Sequence, residues 1–245
     1  MNSTSVSRRE AEVIDAITSR GLVVFGPTEI ERFLDISTRN AYRILDNMTE
    51  KGLVHRLARG TYVLSETYDR LDSYAIASHL EPASYVGFWS ALHFHGLTDQ
   101  VPRSIFVAVT RQKRSLRVQG EEVRFVRVRP GAFFGYDRYG EAVVSDPEKT
   151  ILDCLRLPEY AGGIQHVFEA IPADLAVDRL VRYAEQFDSG AVAARAGYLL
   201  ERAGLLDGGD RLRELVTSYT KLDPSGERTN PVADWKLYAN VTLDD

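Results

Sequence analysis

The chain has a single cysteine, Cys154, among 245 residues, so an internal disulfide is excluded. It sits in the apolar, periodic stretch TILDCLRL, where a small buried hydrophobe is expected and no thiol chemistry. No run approaches the roughly 18 apolar residues of a membrane helix, and MNSTSVSRREAEV lacks the apolar segment of a secretory signal. A cytoplasmic protein without membrane contact is therefore expected. Glycine-rich phosphate loops are missing too: Gly131, Gly135 and Gly140 have neither the spacing nor a helix start behind them. Histidine is scarce. His93 and His95 are one residue apart and would point about 200° apart on a helix of ~3.6 residues per turn, so they cannot share a metal. His55, His79 and His166 are isolated. The sequence shows no repeat, heptad run or low-complexity tract. No catalytic set, metal site or cofactor is expected, and the chain reads as non-enzymatic.

What is present is the composition of a globular protein, 44% hydrophobic and 27% charged. The formal charge of −5 argues against a nucleic-acid ligand until its distribution is considered. Residues 1–70 hold ten basic and ten acidic side chains, and residues 71–140 hold nine against six. The remaining third carries eleven against nineteen, so the acidic excess lies away from the N-terminus. The strongest local bias is in 111–129, with seven basic residues against two acidic.

Local signals order the first quarter. Ser7 and Glu10 have capping-box spacing, and Val13, Ile14 and Ile17 give a helix to about Ser19. LVVF, Leu22 to Phe25, predicts a short strand, and Thr28 to Leu34 a second helix. Ser37 caps a third helix in which Ala41, Ile44, Leu45 and Met48 form the apolar stripe and Gly52 takes the C′ position. Leu53–Leu57 and Thr61–Leu64 then form a hairpin around Ala58-Arg59-Gly60. This order predicts a winged helix-turn-helix over residues 1–66, with the boundary in the polar, unpatterned segment Ser65 to Asp69.

Residues 67–245 are read as a larger α+β domain. Leu71 to Leu80 is expected to be helical, and Tyr85 to Gly96 a strand turning into a helix. SIFVAVT, EEVRFVRVRP, FFGYDRYG and EAVV predict a mostly antiparallel sheet of about four strands within 83–146. A C-terminal helical part over 147–220 opens at Asp146-Pro147-Glu148 and is broken at Pro158, Pro172, Gly190 and Gly208-Gly209. The tail 221–245 is loop-like apart from DWKLYANV.

On the third helix the apolar stripe leaves Thr38, Arg39, Asn40 and Arg43 free near the N-terminal turn. Arginine forks suit guanine O6/N7, and asparagine suits adenine or a phosphate. Arg56 and Arg59 of the hairpin would meet the DNA backbone or minor groove. Double-stranded operator DNA is the expected partner. Arg111, Lys113, Arg114, Arg117, Arg127 and Arg129 form a second candidate surface, for protein or nucleic acid. The competing chemical reading is a metal nuclease built on Asp146, Glu148, Lys149 and Asp153, although helix capping explains the first of these with less.

The winged helix ending in GLVHRLARGTYVL, followed by SYVGFWSALHFHGLTDQVP, the strand SIFVAVT and the helix start VVSDPEKTILDCL, resembles the AbiE-type abortive-infection antitoxins and related transcriptional regulators. The resemblance covers roughly residues 7–205 and rests on motif order. It implies an autorepressing type IV antitoxin opposing a nucleotidyltransferase-like toxin, without a stable complex between them. Ser37 to Lys51 would read the operator, and the basic face from Arg111 to Arg129 would be the antitoxic surface. A stand-alone regulator or a protein-interaction adaptor without a toxin would carry the same motifs. The tail after Leu206 has no counterpart in the resemblance.

Overall fold

The computed structural model describes residues 5–206 and 210–243. Helices α1 (Arg8–Thr18), α2 (Pro27–Leu34) and α3 (Thr38–Glu50) precede the hairpin of β1 (Val54–Ala58) and β2 (Thr61–Leu64). Each start is chemically specified. The Ser7 Oγ accepts from the Glu10 amide while the Glu10 carboxylate accepts from the Ser7 amide at 2.7 Å. Pro27 occupies the first turn of α2, and Ser37 caps α3 by accepting from the Asn40 amide. Val13, Ile17, Ile30, Ala41, Leu45 and Met48 are buried together under the hairpin, joined by Phe25 and Tyr62. The expected LVVF strand contracts to one bridge, Phe25 with Tyr62, because Gly26 packs directly against the Gly60 carbonyl and turns the chain into α2.

Glu10 also ties this unit at its far end, through an ion pair of 2.8 Å with Lys51. Burial pushes the Glu10 carboxyl up, but the Lys51 and Ser7 hydrogen bonds outweigh it and hold it below its ordinary value. A carboxyl lowered by folding contributes stability above its unfolded pKa and loses it as pH falls through the folded value. Thermal unfolding of Glu10→Gln against pH is therefore expected to show a deficit at neutral pH that closes in acid; a deficit constant with pH would contradict this.

Ser65 to Asp69 is not an unpatterned linker. It forms α4 (Ser65–Arg70), followed by α5 (Ser73–Ser78), shorter than the helix expected from Leu71 to Leu80. Then come β3 (Ser84–Val86), α6 (Phe88–Phe94), β4 (Ser104–Val109), β5 (Leu116–Val118), β6 (Glu121–Arg127), β7 (Tyr136–Tyr139) and β8 (Ala142–Ser145). These strands make one six-stranded sheet in the order β5-β6-β4-β3-β8-β7. It has six strands where about four were expected, and it is mixed: three of its five pairings are antiparallel, while β4 runs parallel to β6 and β3 parallel to β8. Both faces are covered, so β4 is buried at every position. Phe106 and Ala108 face one core, and Ile105, Val107 and Val109 the other, which also receives Val23, Val24 and Leu57 from the N-terminal unit.

The first core lies under α7 (Pro147–Arg156), α8 (Ile164–Glu169), α9 (Val177–Phe187), α10 (Gly190–Arg202) and α11 (Asp210–Glu214). Cys154 is buried within it, and burial pushes its thiol well up, the setting of an inert side chain. The Gly208-Gly209 break lies outside the described residues. The tail forms a small sheet of β9 (Thr220–Lys221), β10 (Pro231–Val232) and β11 (Leu237–Tyr238), in the order β10-β11-β9. DWKLYANV therefore contributes a two-residue strand, and Trp235 just before it is fully buried.

Candidate nucleic-acid interface

The apolar stripe that seats α3 leaves its opposite side in solvent. Arg39, Asn40, Tyr42, Arg43 and Asp46 line a shallow open groove along it. Arg39 and Arg43 are exposed, and their guanidinium groups have no hydrogen bond or ion pair among the described residues. Thr38 is different: its hydroxyl donates to Glu31 at 2.7 Å and so fixes α3 against α2. Tyr42 connects the groove to the hairpin, since a Cβ at Gly60, whose φ is +76°, would stand 3.8 Å from the tyrosine hydroxyl. At the hairpin turn Arg59 is exposed without a partner among the described residues. Arg56 donates to the Ala58 carbonyl at 3.4 Å and lies over the Tyr62 ring.

The expected second basic surface divides. Strand β5, which the sequence analysis did not predict, packs beside β1, and Leu116 and Leu57 bury into the same core. This places Arg117 alongside the hairpin. Gln119, at the turn after β5, holds α4 there: its amide nitrogen Nε2 donates to the Tyr68 and Leu71 carbonyls at 2.6 and 2.8 Å, and Tyr68 stacks on His55 of β1 with ring centroids 4.2 Å apart. Arg111 and Arg114 are exposed in the loop before β5, whereas Lys113 is paired with Glu81 at 2.8 Å. Arg127 and Arg129 lie at the opposite end of β6. There Arg129 donates to the carbonyls of Phe187 and Asp188, the latter at 2.7 Å, closing the C-terminus of α9.

With this geometry in place, the comparison with known proteins is specific for the central part of the chain. Residues 85–202 match the family model of the AbiEi antitoxin C-terminal domain. The chain carries an AbiEi-type antitoxin domain. The crystal structure of the RV2827C protein from Mycobacterium tuberculosis shares the fold, with a TM-score of 0.55 at 17% identity over 95% of this chain and 92% of that one. No curated protein matches the chain.

Within the AbiEi domain the acidic cluster weighed as a nuclease site is structural. Asp146 caps α7, accepting from the Lys149 amide at 2.9 Å and from the Tyr183 hydroxyl at 2.9 Å. Glu148 accepts from the Ala176 amide and from Arg179. Lys149 is fully buried, paired with Asp153 and donating to the Tyr85 hydroxyl at 3.0 Å, while that hydroxyl donates to the other Asp153 oxygen at 2.9 Å. Among the described residues no group of three or more His, Cys, Asp or Glu is placed to hold a metal. Burial pushes the Asp153 carboxyl above its ordinary value despite Lys149, and pushes the Tyr85 hydroxyl well up. Sequence reasoning missed this network. Its one local trace is a lysine and an aspartate four residues apart on an otherwise apolar helix face. His95 hydrogen-bonds the Ser145 carbonyl at 2.7 Å, a role in joining elements of the fold.

Proposed function

We propose that the chain is a DNA-binding transcriptional regulator, an autorepressing type IV antitoxin that acts without enzymatic activity. In this reading residues 1–66 are a winged helix-turn-helix and residues 67–245 the antitoxic and regulatory part. The observation that carries the DNA reading is the pair of exposed, uncommitted arginines Arg39 and Arg43 beside Asn40 at the start of α3. A guanidinium with neither ion pair nor carbonyl to lose pays little to enter a groove and donate in pairs to guanine. In this reading Arg56 and Arg59 meet the DNA backbone, and the neighbouring Arg117, with Arg111 and Arg114 in the loop before it, adds charge that residues 1–70 lack. The AbiEi domain supports the antitoxin half, directed against a nucleotidyltransferase-like toxin with no stable complex required. Among the described residues no helix is long and apolar enough to cross a membrane, which accords with a partner in solution.

Anisotropy titration of the full chain with duplexes from upstream of its own reading frame tests the DNA half. Arg39→Ala and Arg43→Ala are each expected to weaken operator binding by ~1–3 kcal/mol, roughly 5- to 150-fold. Arg117→Ala should weaken all duplexes alike and flatten the salt dependence. Equal affinity of the unmodified protein for operator and scrambled duplex would overturn the reading. Growth rescue on co-expression with a neighbouring nucleotidyltransferase tests the antitoxin half.

A further inference from the structure

A small cavity of about 110 Å³ lies at the C-terminal end of β6, away from the DNA-facing groove. Arg127, Arg129 and Arg156 line it together with Phe88, Phe187 and the buried Asp153. All three arginines are exposed to solvent at its rim. Arg129 is committed to the carbonyls that end α9. Arg127 and Arg156 have no hydrogen bond or ion pair among the described residues, so their guanidinium donors are open to a ligand. The carboxylate of Asp153 does not engage them, since its oxygens are taken by Lys149 and Tyr85. Arg156 also stands in the last turn of α7, where a cation is favoured by the helix dipole. Its positive charge is also felt elsewhere: after burial, Arg156 is the next cause holding the Arg195 guanidinium down to about 10.

One wall departs from ordinary packing. Phe88 is fully buried with φ of +55°, a left-handed conformation that an aromatic residue seldom adopts. The surrounding structure holds it there, with its ring edge-on to Tyr160 at 5.8 Å. Strain of this kind concentrates at sites where a wall must stand in a fixed place.

We propose that this cavity binds one phosphate-sized oxyanion, with Arg127 and Arg156 donating to its oxygens and the phenylalanine rings limiting its size. Forked N–H pairs on a tetrahedral oxyanion are the geometry arginine serves best. The volume admits a phosphate group and no nucleoside, so a phosphate ester would leave its organic part in solvent.

The test is a titration of the full-length protein with inorganic phosphate at constant ionic strength held by chloride, followed by calorimetry and ³¹P line broadening. Saturable binding of one phosphate per chain in the millimolar range or tighter is expected, weakened at least tenfold in Arg127→Ala and in Arg156→Ala. Both side chains are exposed, and unchanged circular dichroism verifies that the variants fold; Arg156→Gln provides a second variant at the helix end. Competition by AMP would identify a phosphate ester as the form held, and its failure to compete would identify the free ion. Absence of saturation, or an affinity in both alanine variants unchanged from that of the unmodified protein, would overturn the proposal.

Discussion

Replacing Lys149 by methionine is expected to destabilise the protein by roughly 3–5 kcal/mol, the cost of stranding one member of a buried ion pair. The Lys149 ammonium sits among the rings of Tyr85, Phe134 and Phe187, 5.2–5.3 Å from each centroid, and its closest polar contact is Asp153. Without the ammonium, the Asp153 carboxylate is left buried with one neutral donor, Tyr85. For a unit of this size each kcal/mol moves the melting temperature by about 2–4 °C, so the loss is readily measured. The variant should also acquire a characteristic pH dependence. Burial already raises the Asp153 carboxyl in the folded state, and removing the cation raises it further. A carboxyl raised by folding costs stability above its folded pKa, and the cost disappears as pH falls toward its unfolded value. Lys149→Met should therefore regain stability as pH falls from neutral toward the unfolded carboxyl value, while the parent changes less. The double variant Lys149→Met/Asp153→Leu removes both charges and is expected to lie well above the single variant, since an apolar pair can replace a buried ion pair with little loss. A mild, pH-independent effect of Lys149→Met would show that the pair is not desolvated as described.

What was legible in the sequence is what local chemistry decides. Ser7, Ser37 and Asp146 name their helix starts because the caps reach only three residues ahead, and α3 shows its buried side by spacing alone. Gly52, at φ of +70°, marks the end of α3 for the same local reason. Strand β5 was hidden because three residues in a basic run carry no period, and its pairing comes from β6 across a turn. The parallel pairings of β4 with β6 and β3 with β8 depend on connections that alternation does not encode. The candidate DNA-facing residues were readable as the polar remainder of an amphipathic helix. The fate of Arg129 was not, since its acceptors lie 58 and 59 residues away. In the same way Lys149 and Asp153 advertise a helix-face pair, but only the cover supplied by α6, α9 and the sheet makes that pair a buried one.

The second large effect concerns the tail, which lies beyond the residues matched to the AbiEi domain. Gly197→Ala is expected to destabilise the protein by several kcal/mol, against the helix preference that would ordinarily favour alanine by about 0.5–1 kcal/mol. Gly197 is in the middle of α10, and a Cβ there would stand 2.0 Å from the Trp235 ring, so the indole must leave its place. Trp235 has much to lose. It is fully buried, its Nε1 donates to Glu201 at 2.7 Å, and the Arg213 guanidinium lies 4.6 Å over its ring. Trp235→Ala alone should cost roughly 3–5 kcal/mol, as for other large aromatic truncations in a core. The two changes should not add. Once Trp235 is alanine the obstacle to a side chain at 197 is gone, and Gly197→Ala in that background should turn neutral or stabilising. That reversal of sign, read from thermal or denaturant unfolding of the four variants, separates a tail whose indole is seated against Gly197 of α10 from a tail merely lying on the surface. If Gly197→Ala costs the same with and without Trp235, the lock is not there. If the sign reverses, residues 220–243 belong to the folded core of the antitoxin domain, with Leu222 and Leu237 buried beside Trp235. Truncation after Leu206 should then unfold the helices above the sheet while leaving α1 to α3 and their hairpin, whose core is built from residues 13–64, to melt on their own.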